Sequence, residues 1–260
     1  MRDGHVHSHY CLHGSDDNFQ MYIEKALDIG IDEISFTEHF PLPKGFEDPT
    51  PDKDSSMNIE QLEKYIKELK IIKKFYEGTI KINIGVEVDY IEGFEDEIKA
   101  LLDKYGEFFE DSILSVHMVK YEGKYYCIDY DRESFGQLVE ILGSVDKVYD
   151  LYYDTLKKSV NSNLGQYKPK RIGHPNLVRK YNKIFPYNYE NNEKLEEIVK
   201  IIKEKGYEVD YNLSGLYKED CKEKYISGYL YELIEKYDVP MVLGSDAHNS
   251  ESLNVYELNR

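Results

Sequence analysis

Apolar residues recur along the chain in two alternating rhythms, short runs of period two and longer stretches of helical period. Phe19, Tyr22, Ile23, Ala26 and Leu27 share helical spacing, with Asp16 or Asp17 as the cap and Gly30 as the stop. Residues 31–37 form a short strand-like run that delivers Glu38-His39. The segment holding Pro41, Pro43, Pro49 and Pro51 is too interrupted for regular structure, and such a loop can wall or cover a site. Asn58 opens a long amphipathic helix to about residue 76, closed by Gly78, with Ile59, Leu62, Ile66, Leu69, Ile71 and Ile72 turned inward.

Ile80, Ile82, Ile84, Val86 and Val88 then alternate with Lys81, Asn83, Gly85 and Glu87, which reads as a strand with Glu87 near its C-terminal end. Further on, helices are predicted over 94–105, 132–142, 145–160, 190–205 and 225–237, with Asp131 capping the second of these. A last short helix lies within 251–258. Strands are predicted over 113–116, 171–174, 207–213 and 239–243, and residues 120–128 form a hairpin about Gly123. The main strands thus centre near Val6, Ser35, Val86, Ser115, Ile172, Val209 and Val242. Strand-helix alternation implies an α/β fold with a parallel sheet, and this many repeats favours closure into a (β/α)7 barrel of TIM-barrel type.

At 260 residues, with no Gly-, Ser- and Pro-rich linker, the chain is expected to form a single domain over 1–260. A formal charge of −17 repels polyanions and argues against a protein that grips nucleic acid by its phosphates. Cys11, Cys127 and Cys221 form no CxxC pair and no even framework, which favours a reducing compartment. A small buried side chain is the commoner fate of such a cysteine, although the place of Cys11 among histidines leaves a ligand role open. The sequence has no apolar run long enough to span a bilayer and no signal-peptide pattern, so a cytoplasmic protein without membrane contact is expected. The oligomeric state is left open, because amphipathic helices serve a core and an interface equally well.

Histidine carries the chemistry. His5, His7, His9 and His13 fall within nine residues, spaced and interleaved with Val6, Tyr10 and Leu12, unlike the uniform run of an expression tag. Seven of the eight histidines, all but His9, lie at strand ends or in the first loop, where β/α barrels gather their chemistry. His5 and His7 come first, then His39, Glu87, His117, His174 and the Asp246/His248 pair. Only the strand ending in Asn212-Leu213-Ser214 supplies no obvious ligand. His, Asp and Glu donors together suit divalent zinc, manganese or iron. Nine candidate ligands exceed what one tetrahedral ion can use, so two or three ions are implied, with Glu87 able to bridge a pair. A water shared by two such ions loses its proton near neutral pH and can attack a phosphate ester. Amide hydrolysis in a related barrel is the main competing reaction.

The His5-x-His7 opening with His13-Gly14, the Ser35-Phe36-Thr37-Glu38-His39 segment, Gly85-Val86-Glu87-Val88-Asp89-Tyr90, Ser115-Val116-His117, Gly173-His174 and Gly244-Ser245-Asp246-Ala247-His248 resemble, in this order, the polymerase and histidinol phosphatase (PHP) family. Asp48-Pro49-Thr50-Pro51 and Glu92-Gly93-Phe94 fit its histidinol-phosphate phosphatase branch. The resemblance implies a distorted seven-stranded barrel with a trinuclear site. By that resemblance the first ion takes His5, His7, Glu87 and Asp246, the second Glu87, His117 and His174, and the third His13, His39 and His248. His9 falls at a variable position and reads as a local hydrogen-bonding residue.

The implied activity is metal-dependent hydrolysis of L-histidinol phosphate to L-histidinol and phosphate, a step of histidine biosynthesis, through a metal-bridging hydroxide. Glu87 would act at the shared centre, and Asp246 or His248 would relay a proton to the leaving alkoxide. Arg171 is the first choice for a basic fork on the phosphoryl oxygens, with Arg179, Lys180 and Lys218 behind it. Where the family is expected to carry an arginine after Ser214-Gly215-Leu216, this chain has Tyr217-Lys218. The alternatives are a PHP phosphoesterase acting on another substrate, including a 3′–5′ exonuclease, and a metal-binding module without catalysis.

Overall fold

In the computed structural model, which describes residues 1–258, seven parallel strands stand around one axis. They are β1 (Arg2–Val6), β2 (Glu33–His39), β3 (Lys81–Asp89), β4 (Ile113–Ser115), β7 (Arg171–Ile172), β8 (Glu208–Asn212) and β9 (Met241–Gly244), neighbouring one another in that order. The ring closes between its first and last strands. Asp246 donates its backbone N–H to the His5 carbonyl at 2.8 Å, and His7 donates to the Ala247 carbonyl at 3.0 Å. A hairpin of β5 (Met118–Tyr121) and β6 (Lys124–Cys127) stands apart from the barrel, as the turn at Gly123 predicts.

Helices α1 (Phe19–Asp28), α2 (Ile59–Phe75), α3 (Glu95–Tyr105), α4 (Arg132–Leu142), α5 (Val145–Asn161), α6 (Glu193–Glu204), α7 (Gly228–Lys236) and α8 (Val255–Leu258) fill the connections. The aliphatic face of β3, Ile82, Ile84, Val86 and Val88, is buried in one continuous core with helix residues such as Leu62, Tyr65 and Leu69. Three local expectations are corrected. The cap of α1 is Asn18, whose side chain accepts the Met21 N–H, while Asp17 accepts the backbone and hydroxyl of Ser250 and ties this turn to the C-terminal region. Ile71 is 62% exposed, because two residues past Leu69 it lies about 200° around α2 from the buried stripe. The helix predicted to start at residue 225 begins only at Gly228.

A β-bulge in β1 aims the first two histidines. Asp3 pairs with Ile34, but Val6 already pairs with Phe36, so β1 spends one extra residue between them. The insertion changes the phase of alternation, and both Gly4 and His5 approach groups that belong to the barrel axis. That axis is narrow. A Cβ on Gly173 would fall 1.9 Å from Ser115 Oγ, and one on Gly244 would fall 2.4 Å from Asp210 Oδ1 and 2.6 Å from His5 Cβ, so only glycine fits at either place.

The C-terminal end of α5 is held by Lys168, whose buried ammonium donates to the carbonyls of Ser159, Val160 and Ser162 at 2.9, 2.9 and 2.8 Å. These are the carbonyls a helix leaves without internal partners, and the cation also faces the negative end of the helix dipole. Lys168→Met should therefore lower unfolding free energy by about 1–3 kcal/mol, the range for buried charge-assisted hydrogen bonds, as read by urea denaturation. An unchanged midpoint would show that water replaces the ammonium at no cost.

Candidate metal centre

Nine side chains from six strand ends and the first loop converge at the C-terminal mouth of the barrel. His5 Nε2 and His7 Nε2 face each other at 3.2 Å. Each lies 3.5 Å from Glu87 Oε2, and Asp246 Oδ1 lies 3.6 and 3.2 Å from them respectively. The other oxygen of Glu87, Oε1, is 2.9 Å from His174 Nε2 and 3.7 Å from His117 Nε2, so one carboxylate stands between two groups of imidazoles. His13, His39 and His248 form a third group, with the His13 ring centroid 5.0 and 5.1 Å from the other two. The cleft over them holds about 280 Å³. A larger hollow of about 850 Å³ beside the end of α2 is lined by lysines and acids and carries no imidazole.

The imidazoles are oriented from behind. His5 Nδ1 meets Asp210 Oδ2 at 2.8 Å, His7 Nδ1 meets Glu38 Oε1 at 3.1 Å, and His117 Nδ1 meets Asp89 Oδ1 at 2.6 Å. His13 and His248 use Nδ1 on the carbonyls of Asp54 and Asp246, both at 3.0 Å. A proton held at Nδ1 by an acceptor leaves the Nε2 lone pair free, which is the tautomer a metal ion needs. His39 has no hydrogen bond at either ring nitrogen although it is buried, and His174 has none at Nδ1. Such orphaned buried nitrogens fit an ion as their missing partner.

Electrostatics point the same way. Burial alone would raise the Glu87 pKa, yet the imidazoles of His5, His117 and His174 hold it well below the ordinary carboxylate value. Burial opposes protonation of His7 and His117, but carboxylate neighbours prevail and lift them to about 9 and about 10. His39 and His248 are pushed well below the usual imidazole value, first by burial and next by His7. The cluster is thus a packed set of ionised carboxylates and imidazoles that an incoming cation would find already aligned.

The family profile described as PHP domain matches residues 3–214 of the chain. The chain belongs to the PHP family. It is 46% identical over 253 residues to the histidinol-phosphatase of Bacillus subtilis (strain 168), covering 96% of this chain and 94% of that protein. A solved structure from Listeria monocytogenes, to which histidinol phosphatase activity has been ascribed, superposes with a TM-score of 0.93 at 32% identity over 97% of both chains. The histidinol phosphate phosphatase of Lactococcus lactis, solved with zinc, L-histidinol and phosphate, shares the fold with a TM-score of 0.70 at 23% identity, over 99% of this chain and 91% of that one.

Within this PHP barrel the basic residues divide. Lys180 and Lys218 line the cleft, Lys180 against Asp129 Oδ2 at 3.1 Å and Lys218 without an ion pair among the described residues. Arg171 does not reach it. Starting β7, it is 1% exposed, lies close against Gly4 and stands 2.9 Å from Asp111 Oδ1 just before β4, an ion pair that leaves its nitrogens otherwise without hydrogen bonds, so its position below the site keeps it from a substrate in the cleft. Arg179 is likewise withdrawn, bound to Glu223 and the Tyr187 carbonyl and stacked on the Tyr189 ring at 4.4 Å. His9 stands outside the cluster with Nε2 3.5 Å from Glu68.

The strand with no obvious ligand has another task. Asp210 orients His5, while Asn212 Nδ2 and Ser214 Oγ donate to Asp246 Oδ2 at 3.2 and 3.1 Å. Asp210, Glu38 and Asp89 are not among the expected ligands, and each touches one, although Asp89 also lies within ligand distance of His39 and His117. Strand parity is the signal that points to two of them, since Asp89 lies two residues from Glu87 and Asp210 two from Asn212.

Two outcomes are expected. At pH 7 the metal-free protein carries protons on His7 and His117, because their folded pKa values lie above that pH. Adding zinc should displace these protons and acidify a weakly buffered solution, and an unchanged pH would contradict the donor assignment. Asp210→Asn leaves His5 in place but removes its charged acceptor, and should weaken metal binding about 10–100-fold in a chelator competition.

Proposed function

We propose that this protein is a metal-dependent histidinol-phosphatase that converts L-histidinol phosphate to L-histidinol and inorganic phosphate, a step of histidine biosynthesis. The observation that carries the reading is the end-to-end likeness to the Bacillus histidinol-phosphatase, laid over a barrel mouth where Glu87 sits between two imidazole groups. His5, His7, Glu87 and Asp246 would hold one divalent ion, Glu87, His117 and His174 a second, and His13, His39 and His248 a third. The zinc of the Lactococcus protein favours zinc here, with manganese and iron compatible with the same donors.

Bound ions at such a site supply Lewis acidity and a water acidified toward neutral pH. The chain's own residues do the rest. Asn212 and Ser214 fix the Asp246 carboxylate, Ser115 Oγ donates to Glu87 Oε1 at 2.6 Å, and both carboxylates are kept ionised and aimed. Lys218, whose ammonium at the cleft has no ion pair among the described residues, takes the phosphoryl oxygens in place of Arg171 and Arg179, and Lys180 stands behind it. Asp246 or His248, the latter 25% exposed at the mouth, would relay to the leaving alkoxide the proton given up by the attacking water.

Residues 1–260 are read as one PHP unit. β9, Asp246 and His248 lie beyond the matched segment yet close the barrel and complete the first and third ligand sets. The substrate is taken to be a small phosphate ester and not a nucleic acid, in keeping with the charge of −17. No helix of the described residues is long and apolar enough to cross a membrane, and the cytoplasm is the proposed location.

The test is steady-state turnover of zinc-loaded protein on a panel of phosphate esters. Histidinol phosphate should give the highest kcat/KM, and equal rates across the panel would remove the substrate assignment. Lys218→Ala should cost about 10²–10³ in kcat/KM, as loss of a transition-state charge partner does elsewhere. Glu87→Ala, which deletes the shared ligand, should abolish turnover.

A further inference from the structure

Two donors beside the cluster belong to none of the ligand sets above, Asp89, which already faces His117, and a thiol. Cys11 is buried, 6% exposed, in the turn that leads to His13. Its Sγ and donor atoms of His7, His39 and His248 all lie within 4.8 Å of one another, a group that forms without His13. The His13 ring stands at the exposed mouth with Nδ1 on the Asp54 carbonyl. His39 gives an independent pointer. Its side chain is 9% exposed and neither ring nitrogen is hydrogen-bonded, Nδ1 standing 3.3 Å from Glu87 Oε2 without a hydrogen bond, a costly state for a buried polar group unless something takes its lone pair.

The geometry points to Cys11 as a sulfur ligand of the third ion, shared with His39 and His248, which makes that site softer than its nitrogen- and oxygen-only neighbours. The turn is built to aim the thiol inward. Cys11 N–H donates to the Ser8 carbonyl at 3.0 Å and the Cys11 carbonyl accepts Gly14 N–H at 3.1 Å. A Cβ at position 14 would lie 3.4 Å from Sγ and 3.2 Å from the His248 carbonyl, so Gly14 keeps that side clear. A divalent ion bound there would favour the thiolate. The S–H proton passes to solvent, the sulfur lone pair forms the metal bond, and no electron is transferred. A thiolate at this position favours zinc or iron(II) over manganese.

The inference rests on the metal reading of the cluster and not on the identity of the substrate. It is tested on the whole chain, stripped of metal and reloaded with Co²⁺, by a near-ultraviolet sulfur-to-cobalt charge-transfer band. The band should be present in the unaltered protein, Cys127→Ser and Cys221→Ser, and absent from Cys11→Ser with its ligand-field bands retained. X-ray absorption of the zinc-loaded unaltered protein should show a sulfur shell at about 2.3 Å, a readout that stands even if Cys11→Ser does not fold. Protein that binds two or three Co²⁺ with neither sulfur signal overturns this assignment alone. A band that survives in Cys11→Ser, or vanishes in Cys127→Ser instead, overturns it too. Protein that binds no Co²⁺ overturns both this assignment and the metal reading, whereas failure to hydrolyse histidinol phosphate leaves a sulfur signal unaffected.

Discussion

The seam between the first and last strands is the constraint on which the site depends. Two backbone hydrogen bonds, Asp246 N–H to the His5 carbonyl and His7 N–H to the Ala247 carbonyl, complete the barrel, and the residues that make them are themselves ligand residues or their neighbours. Zipping the ring therefore brings His5 and His7 beside Asp246 in the same act. Loop-closure entropy is overcome once, and both closure and ligand assembly share the gain. Asp17, bonded to the backbone and hydroxyl of Ser250, ties the turn before α1 to the segment that follows the seam.

A second layer gives the ring its chemical character. Glu38, Asp89 and Asp210 face the rear nitrogens of three imidazoles, and Asn212, Ser214 and Ser115 hold the two carboxylates that face forward. Each of these five ligands is thus fixed by a neighbouring polar group, which preserves geometry against the repulsion of like charges packed within hydrogen-bond distance. Below this layer the axis is filled by a different polar set. Arg2, Ser35 and Arg171 all converge on Asp111.

Most of the architecture was legible because its signals are periodic or terminal. Strand-helix alternation gave the barrel, and the clustering of imidazoles at strand ends gave the mouth, since strand direction fixes which end of a parallel barrel a residue faces. The same rule, applied to Arg171, places it at the opposite end. It opens β7, whereas His174 follows that strand, and proximity in sequence concealed a separation along the axis. The orienting carboxylates were hidden for another reason. Glu38 adjoins His39 and so starts on the other face of β2, and it reaches His7 only because the bulge in β1 shifts the phase there. A bulge is a register property of two paired strands, and no single-strand pattern reports it. The cap at Asn18 was missed because three adjacent polar residues, Asp16, Asp17 and Asn18, compete for one role and a distant serine decides among them.

The seam also sets an order of events during biogenesis. Ser245 and His5, which touch across it, lie 240 residues apart. A ribosome has released the opening histidines long before it has made the segment that must sit beside them. Until Asp246 has been made, the emerging chain offers His5 and His7 without that carboxylate, so the mouth cannot be completed on any fragment that stops short of it.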